Sequence, residues 1–476
     1  MSDPSAAEPI SIEGRVTDFS PRLSPMLVKE LRQGMRTKLF SIAFILLHTF
    51  MIFCLLAALS NPGSNDSDGF FWFVIVSVLL FVQPLRGFNA LSSEYQLNTM
   101  DLIQLTKLNG WRITLGKWTA LNAQGMLFLS GVLPYLVIRY FLGNVNFVLD
   151  LVALGLIGLG SIFSTAITIG CSVFQNIILR GAIVVGMGIA FTVLFVVVTE
   201  TILDRGGLGS DQWTAIGLLF IGCAYGCFFF LSFGASRIAP LSENHATRKR
   251  LVALLSASLC LGFLLIGADS SPVIITIALI LGTACIDALT EPLPVFSRVL
   301  IPFSKNPLTR FLAFFLSPGW ISGLGFFLIC SLSYFGSLYF AGWIDTHDFL
   351  NKNEDVIAQL CGCNLFIFPL LIIHIFFPKH TSAHFTFAIY SGIQAGIGGI
   401  TIMIAAIASA IGRWEDLIYS LIPMPSVLLV AYGETDIERP HYVILTVTTT
   451  LLCILVPLLR HRDSVKEFFL HLKPSI

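Results

Sequence analysis

Blocks of uninterrupted apolar sequence constrain this chain more than anything else in it. A bilayer core about 30 Å thick takes roughly 20 helical residues to cross. Stretches of about that length recur at residues 39–59, 70–88, 118–141, 148–174, 181–203, 213–233, 251–268, 273–288, 320–343, 356–377, 385–411 and 442–459. The charge that a soluble surface needs is missing: 12% of the 476 residues are charged, against about 25% in an ordinary globular domain. The blocks do not alternate apolar and polar residues, which excludes an outer-membrane barrel. In hydrocarbon a helix satisfies its own backbone hydrogen bonds within one such block. The expected fold is therefore all-α, a polytopic integral membrane helical bundle of about 12 transmembrane helices.

The loops orient it, because Lys and Arg accumulate on the cytoplasmic side. With the N-terminus inside and twelve spans, 23 of the 28 basic residues fall on inside segments. The outside segments hold only Arg139, Arg205, Lys352, Arg413 and Arg439, and are acidic at Asp66, Asp68, Asp345, Asp348, Glu354 and Asp355. One span more or fewer scrambles this asymmetry, so both termini are expected to be cytoplasmic. The organisation is a polar tail (1–23), an amphipathic helix (24–38), a six-span unit (39–233), a basic linker (234–250), a second unit of about six spans (251–459) and a cytoplasmic tail (460–476). The first apolar block follows a long polar segment, so no signal peptide is expected. A formal net charge of zero gives no reason to expect nucleic acid. Blocks 251–268 and 273–288 are short and joined only by Asp269-Ser270-Ser271-Pro272. They read either as two spans or as a helical hairpin that stops short of crossing.

Two stretches outside the spans carry structure of their own. From Ser24, a good N-cap, and Pro25, suited to the first helical position, the text runs to Arg36. At 100° per residue Leu27, Val28, Leu31 and Met35 share one face, with Lys29, Glu30, Arg32 and Arg36 placed opposite. Such a helix lies in the membrane interface or simply anchors the first span by its positive charge. Between the second and third spans, Asn98 or Thr99 caps a short helix with Asp101 in its first turn, favourable at the positive end of the dipole. Gly110 is placed to end it. Met100, Leu102, Ile103, Leu105 and Leu108 surround much of that helix, so it needs cover on more than one side, from its own membrane domain, a partner, or both.

Together these stretches resemble the type-two permease (transmembrane) subunits of ATP-binding-cassette (ABC) transporters. The matching text is Ser24-Pro25…Val28-Lys29-Glu30-Leu31-Arg32 before the first span. The second match is Ser93-Glu94…Thr99-Met100-Asp101-Leu102…Leu105-Thr106…Gly110-Trp111…Gly116-Lys117 after the second span. The resemblance is specific over roughly residues 24–118 and continues as a six-span pattern to Phe233. It implies an elbow helix at the membrane interface carrying Lys29, Glu30, Arg32 and Arg36. It also implies a coupling helix at about 93–110, where Glu94, Thr99, Asp101, Leu102, Leu105, Thr106 and Gly110 dock an ABC nucleotide-binding subunit. Family members often carry a second acidic residue beside the glutamate, where this chain has Tyr95. The implied setting is a bacterial-type cytoplasmic (inner) membrane, with ATP and Mg in the partner, no cofactor in this chain, and a homodimer or second permease chain allowed. The segment 298–320, with its Ser317-Pro318-Gly319 turn, is a candidate second elbow. The Pro-broken apolar patch 417–430 reads as a re-entrant or interfacial pair, so the second half reads as a diverged repeat or as an unrelated unit.

Other motifs point away from chemistry in the chain itself. Gly110 to Trp118 looks like Gly-x4-Gly-Lys-Ser/Thr but has one residue too many between the glycines, and Trp118 stands in place of the Mg-binding hydroxyl. No enzyme activity, catalytic residue or metal site is expected. His380 and His384, with His374 upstream of Pro378, read as loop histidines. The cysteines, including Cys361 and Cys363, read as small hydrophobes in apolar runs. Asp150, Arg180 and Asp287 lie near span ends where they are expected to reach water, and Arg139 snorkels. The reading is a permease subunit, an exporter in direction, of an apolar or amphiphilic cargo. Its alternatives are a membrane scaffold or assembly protein using the same helix on a non-ATPase partner, and an ion-coupled secondary transporter.

Overall fold

The computed structural model describes residues 25–60, 65–93, 109–142, 146–174, short pieces between 176 and 189, and 209–239. It further describes 243–293, 299–304, 306–344, 353–376, 383–411, 424–434 and 440–471. Every element among them is helical. The chain divides into two compact units, Met1–Ser172 and Val173–Ile476.

In the first unit, α1 (Pro25–Met35) leads into α2 (Lys38–Ser60). Then come α3 (Asn65–Val76), a π-helical turn (Ser77–Val82) and α4 (Gln83–Leu85), which follow one another without a gap as the second expected span. The long α5 (Gly110–Leu142) and α6 (Phe147–Cys171) complete the unit. Local chemistry sets the ends. Asn146 is extended, and its side chain accepts from the amides of Val148 and Leu149, opening α6. Asn109 accepts the Arg112 amide at 3.1 Å and opens α5 in the same way. At 33 residues α5 is roughly 50 Å long, well beyond a hydrocarbon core.

The second unit holds α7 (Ser210–Ile238), α8 (Ala246–Leu264), α9 (Ser270–Thr290), the short α10 (Ile301–Ser304) and α11 (Pro307–Leu316). It continues with α12 (Trp320–Ile344), α13 (Asn353–Phe376), α14 (Ala383–Ile411), α15 (Pro425–Glu434), α16 (Pro440–Arg460) and α17 (Arg462–His471). The turn from α8 to α9 is made by Gly267 at φ 87°. Its amide bonds back to Leu264 and that of Ala268 to Phe263, a left-handed helix cap that a side chain would strain. Helices α9 and α12 meet almost backbone to backbone: a Cβ on Gly323 would collide with the carbonyl of Ala288. Without a hydrophobic drive between helices in lipid, such close approach of small residues is what holds them.

Nine helices of the described residues are long and apolar enough to cross a membrane, and each coincides with one of the twelve expected spans. The other three differ for separate reasons. The second is shorter, an apolar helix over Gly69–Leu85. The fifth, 181–203, lies mostly outside the described residues. The seventh, α8, begins with Arg248, Lys249 and Arg250 inside the helix. The eighth, α9, is 21 residues long and belongs to the nine. The third begins eight residues earlier than hydropathy suggests, because the Asn109 cap, not the hydrocarbon edge, starts the helix. In the Pro-broken patch, the described part is α15, whose Val427 and Leu428 are buried against Cys361 and Ile404.

Candidate functional site

Of the expected docking residues, Glu94, Thr99, Asp101, Leu102, Leu105 and Thr106 lie outside the described residues. Gly110 is the first residue of α5 and is buried; it opens a helix here. What the structure describes is how both roots of the 94–108 connection are held. On the entering side, Arg86 donates to the Gln83 carbonyl oxygen of its side chain (3.0 Å) and to the backbone oxygen of Gly34 in α1 (2.9 Å). Its guanidinium also lies over the Phe40 ring at 5.0 Å. Further along, the Leu91 amide donates to Ser172 Oγ at 3.1 Å, and Gly87 lies so near Thr168 that a Cβ would crowd its hydroxyl. On the leaving side, Lys117 of α5 pairs with Glu30 of α1 at 3.1 Å, and Trp118 Nε1 donates to the Ile162 carbonyl.

Helix α1 therefore bridges the two roots. Leu27, Val28, Leu31 and Met35 are half-buried, as their shared face requires, while Lys29, Arg32 and Arg36 are exposed. Glu30 departs from the expected polar face. It stands one turn from Leu27, at the edge of the apolar stripe, and turns inward to Lys117. Gly34 permits the closest approach, since a Cβ there would run into the Gln124 amide.

The second unit contains a group that hydropathy hides. Lys249 and Arg250 on α8 face Asp287 and Glu291 at the end of α9. Lys249 pairs with Asp287 and lies 3.7 Å from Glu291; Arg250 pairs with Glu291 at 3.1 Å. Arg250 also donates to the Phe315 carbonyl (2.8 Å), Ser322 Oγ (3.0 Å) and the Gly319 carbonyl (3.4 Å). Thr247 donates to the Leu316 carbonyl at 2.8 Å. The network ties the loop between α11 and α12 to the α8–α9 hairpin. Arg250, Asp287 and Lys249 are 2%, 3% and 5% exposed, so the expectation that Asp287 reaches water is overturned. It is near the helix end, but α8 and α12 cover it. A signal was present: two acids four residues apart close one arm of a hairpin, and two bases open the other. Charge counting alone treats Lys249 and Arg250 as linker.

Arg180, also expected to reach water, is 2% exposed and donates to the Phe174 carbonyl at 3.4 Å. Arg139 meets Asp150 at 3.5 Å and lies over Phe71 and Trp72. Asp150 is in the first turn of α6, where a carboxylate is favoured by the dipole. His374 packs against the Trp320 and His461 rings; His384 falls within α14, and His380 lies outside the described residues. All ten cysteines are buried and free. Among the described residues, no three His, Cys, Asp or Glu side chains are grouped to hold a metal ion.

The fold defines the class: a helical, multi-pass membrane protein. No family model, no curated protein and no solved structure matches this chain.

Proposed function

We propose that the chain is the transmembrane permease subunit of an ABC transporter, an exporter powered by ATP hydrolysis in a separate nucleotide-binding subunit. One observation carries the reading: α1 is pinned by Glu30–Lys117 and by Arg86 to Gly34 across both roots of the 94–108 connection. A push on that connection reaches α5 through a braced base, with no slack segment in between. A coupling helix needs such a mount, because binding energy spent at the docking face moves a span only if the joint between them is stiff. The long α5 suits the role, since its first turns and its membrane part belong to one continuous helix.

The test is purification of the detergent-solubilised protein from its native membranes, with ATPase activity read in the eluate. Co-purification of an ATP-hydrolysing subunit with wild type, and its loss in Asp101→Lys/Leu105→Glu, supports the reading. If a partner is captured that hydrolyses no ATP, the scaffold reading replaces it.

A further inference from the structure

The second unit holds a cavity of about 180 Å³ between α9, α12 and α13. Small residues open it. Gly282 lies under the tip of Phe366, and a Cβ on Gly362 would meet nothing within 4 Å. The deep end is formed by Cys285, Cys330 and Phe327, all buried; the other end by Tyr334 and Gln359, both half-buried. The two ends differ in chemistry. Cys285 and Cys330 are weakly polar thiols buried at the deep end beside Phe327. Tyr334 donates to Gln359 Oε1 at 2.9 Å. This orients the amide and leaves its Nε2 donors without a partner among the described residues.

Position along the helices adds depth. Gln359 lies three residues inside the apolar stretch that begins at Val356, roughly 5 Å from its outer edge at 1.5 Å per residue. From Gln359 to Phe366 is about 10 Å further in. A hydrogen-bond donor near the hydrocarbon edge with an apolar shaft below it matches an acyl chain, whose ester or carboxyl oxygen sits at the interface. Volume narrows the ligand. A cavity near 150 Å³ takes a molecule the size of benzene, so one chain end fits and a two-chain lipid or a drug-sized body does not.

We infer that this cavity binds a single acyl chain, with Gln359 Nε2 donating to the chain's ester or carboxyl oxygen and Gly362 keeping the shaft open. The site requires no ATPase partner and is tested without ATP. Purified full-length protein is placed in nanodiscs of saturated phosphatidylcholine. One arm carries a diazirine-bearing free fatty acid, the other the same chain esterified in phosphatidylcholine. After photolysis, labelled peptides are mapped by mass spectrometry. Label is expected on 278–285, 327–334 and 359–366 in one arm or both, which identifies the source of the chain. Gly362→Leu fills the shaft and is expected to cut that label roughly tenfold, while label on Leu255 and Ile402, exposed and outside those three stretches, persists. Gly336→Leu, at an exposed position open on all sides, is expected to leave both unchanged. Gln359→Ala is expected to weaken pocket labelling and leave the exposed sites alone. Equal pocket labelling in Gly362→Leu and wild type, or no pocket label in either arm, overturns the assignment, whatever the outcome of the ATPase pull-down.

Discussion

Replacing Arg250 by methionine keeps an unbranched apolar stem beside Phe326, whose ring the guanidinium overlies at 5.5 Å, and deletes the charged fork. Four acceptors then lose a donor: the Phe315 and Gly319 carbonyls, Ser322 Oγ and Glu291. Ser322 retains its own bond to the Gly319 carbonyl at 2.8 Å, and Glu291 keeps the Gly319 amide at 3.5 Å and the Lys249 ammonium at 3.7 Å, both too long for good hydrogen bonds. Removing one partner of a buried ion pair destabilises by about 3–5 kcal/mol, because the other charge is left uncompensated. The carbonyl and hydroxyl add to this, at about 1–3 kcal/mol for each buried polar group truly left unsatisfied. We expect Arg250→Met to destabilise the second unit by at least about 3 kcal/mol, read as the free energy of SDS-induced unfolding in mixed micelles. Adding Glu291→Gln removes the stranded charge, so the double variant is expected to lose less than the sum of the singles, with a coupling above about 1 kcal/mol. Arg462→Met is the control, since Arg462 and Asp463 are 76% and 85% exposed at 3.9 Å and surface substitutions stay within about 0.5 kcal/mol. If Arg250→Met stays in that range too, the network is not the clamp described here.

Gly323→Ala is expected to push α12 off the α9 backbone and lower stability by about 1–3 kcal/mol. Gly336→Ala, with nothing near it, is expected to be silent in the same unfolding assay, and equal effects would refute the close approach. Gly34→Val is expected to displace α1 by clashing with Gln124, exposing residues 25–36 to limited proteolysis. Gln124→Ala in the same chain should restore protection, and unchanged cleavage in the single variant would remove α1 from its described seat. Burial first, and Arg460 second, hold the His461 imidazole below its ordinary value, with His374 and Trp320 packed against it. The folded state thus favours neutral His461, and the unfolded chain binds more protons below its value of about 6.5. That stabilisation is complete above about pH 6.5 and is lost as pH falls toward the folded value. The wild-type unfolding midpoint should therefore drop more between pH 7 and 5 than that of His461→Gln, and parallel curves would exclude the histidine.

Much of the architecture is legible in residues read one after another. Apolar length places a helix at each block that crosses, because the backbone in hydrocarbon has no other local solution. Asn146 and Pro25 mark helix starts through chemistry confined to a few neighbours, and Gly267 marks a stop in the same way. The amphipathic stripe of α1 also follows from spacing alone. Tertiary structure decides what faces what. Lys249 and Arg250 look like linker charge and Asp287 like a wetted end until α8, α9 and α12 close around them. Glu30 looks like part of a polar face until Lys117, 87 positions away, comes to its side. Gly362 and Gln359 are unremarkable in sequence and become a shaft and its donor only when three helices meet. Helix formation and hydrophobicity are short-range along the chain, whereas charge pairing, close glycine contacts and cavities depend on which distant segments pack together.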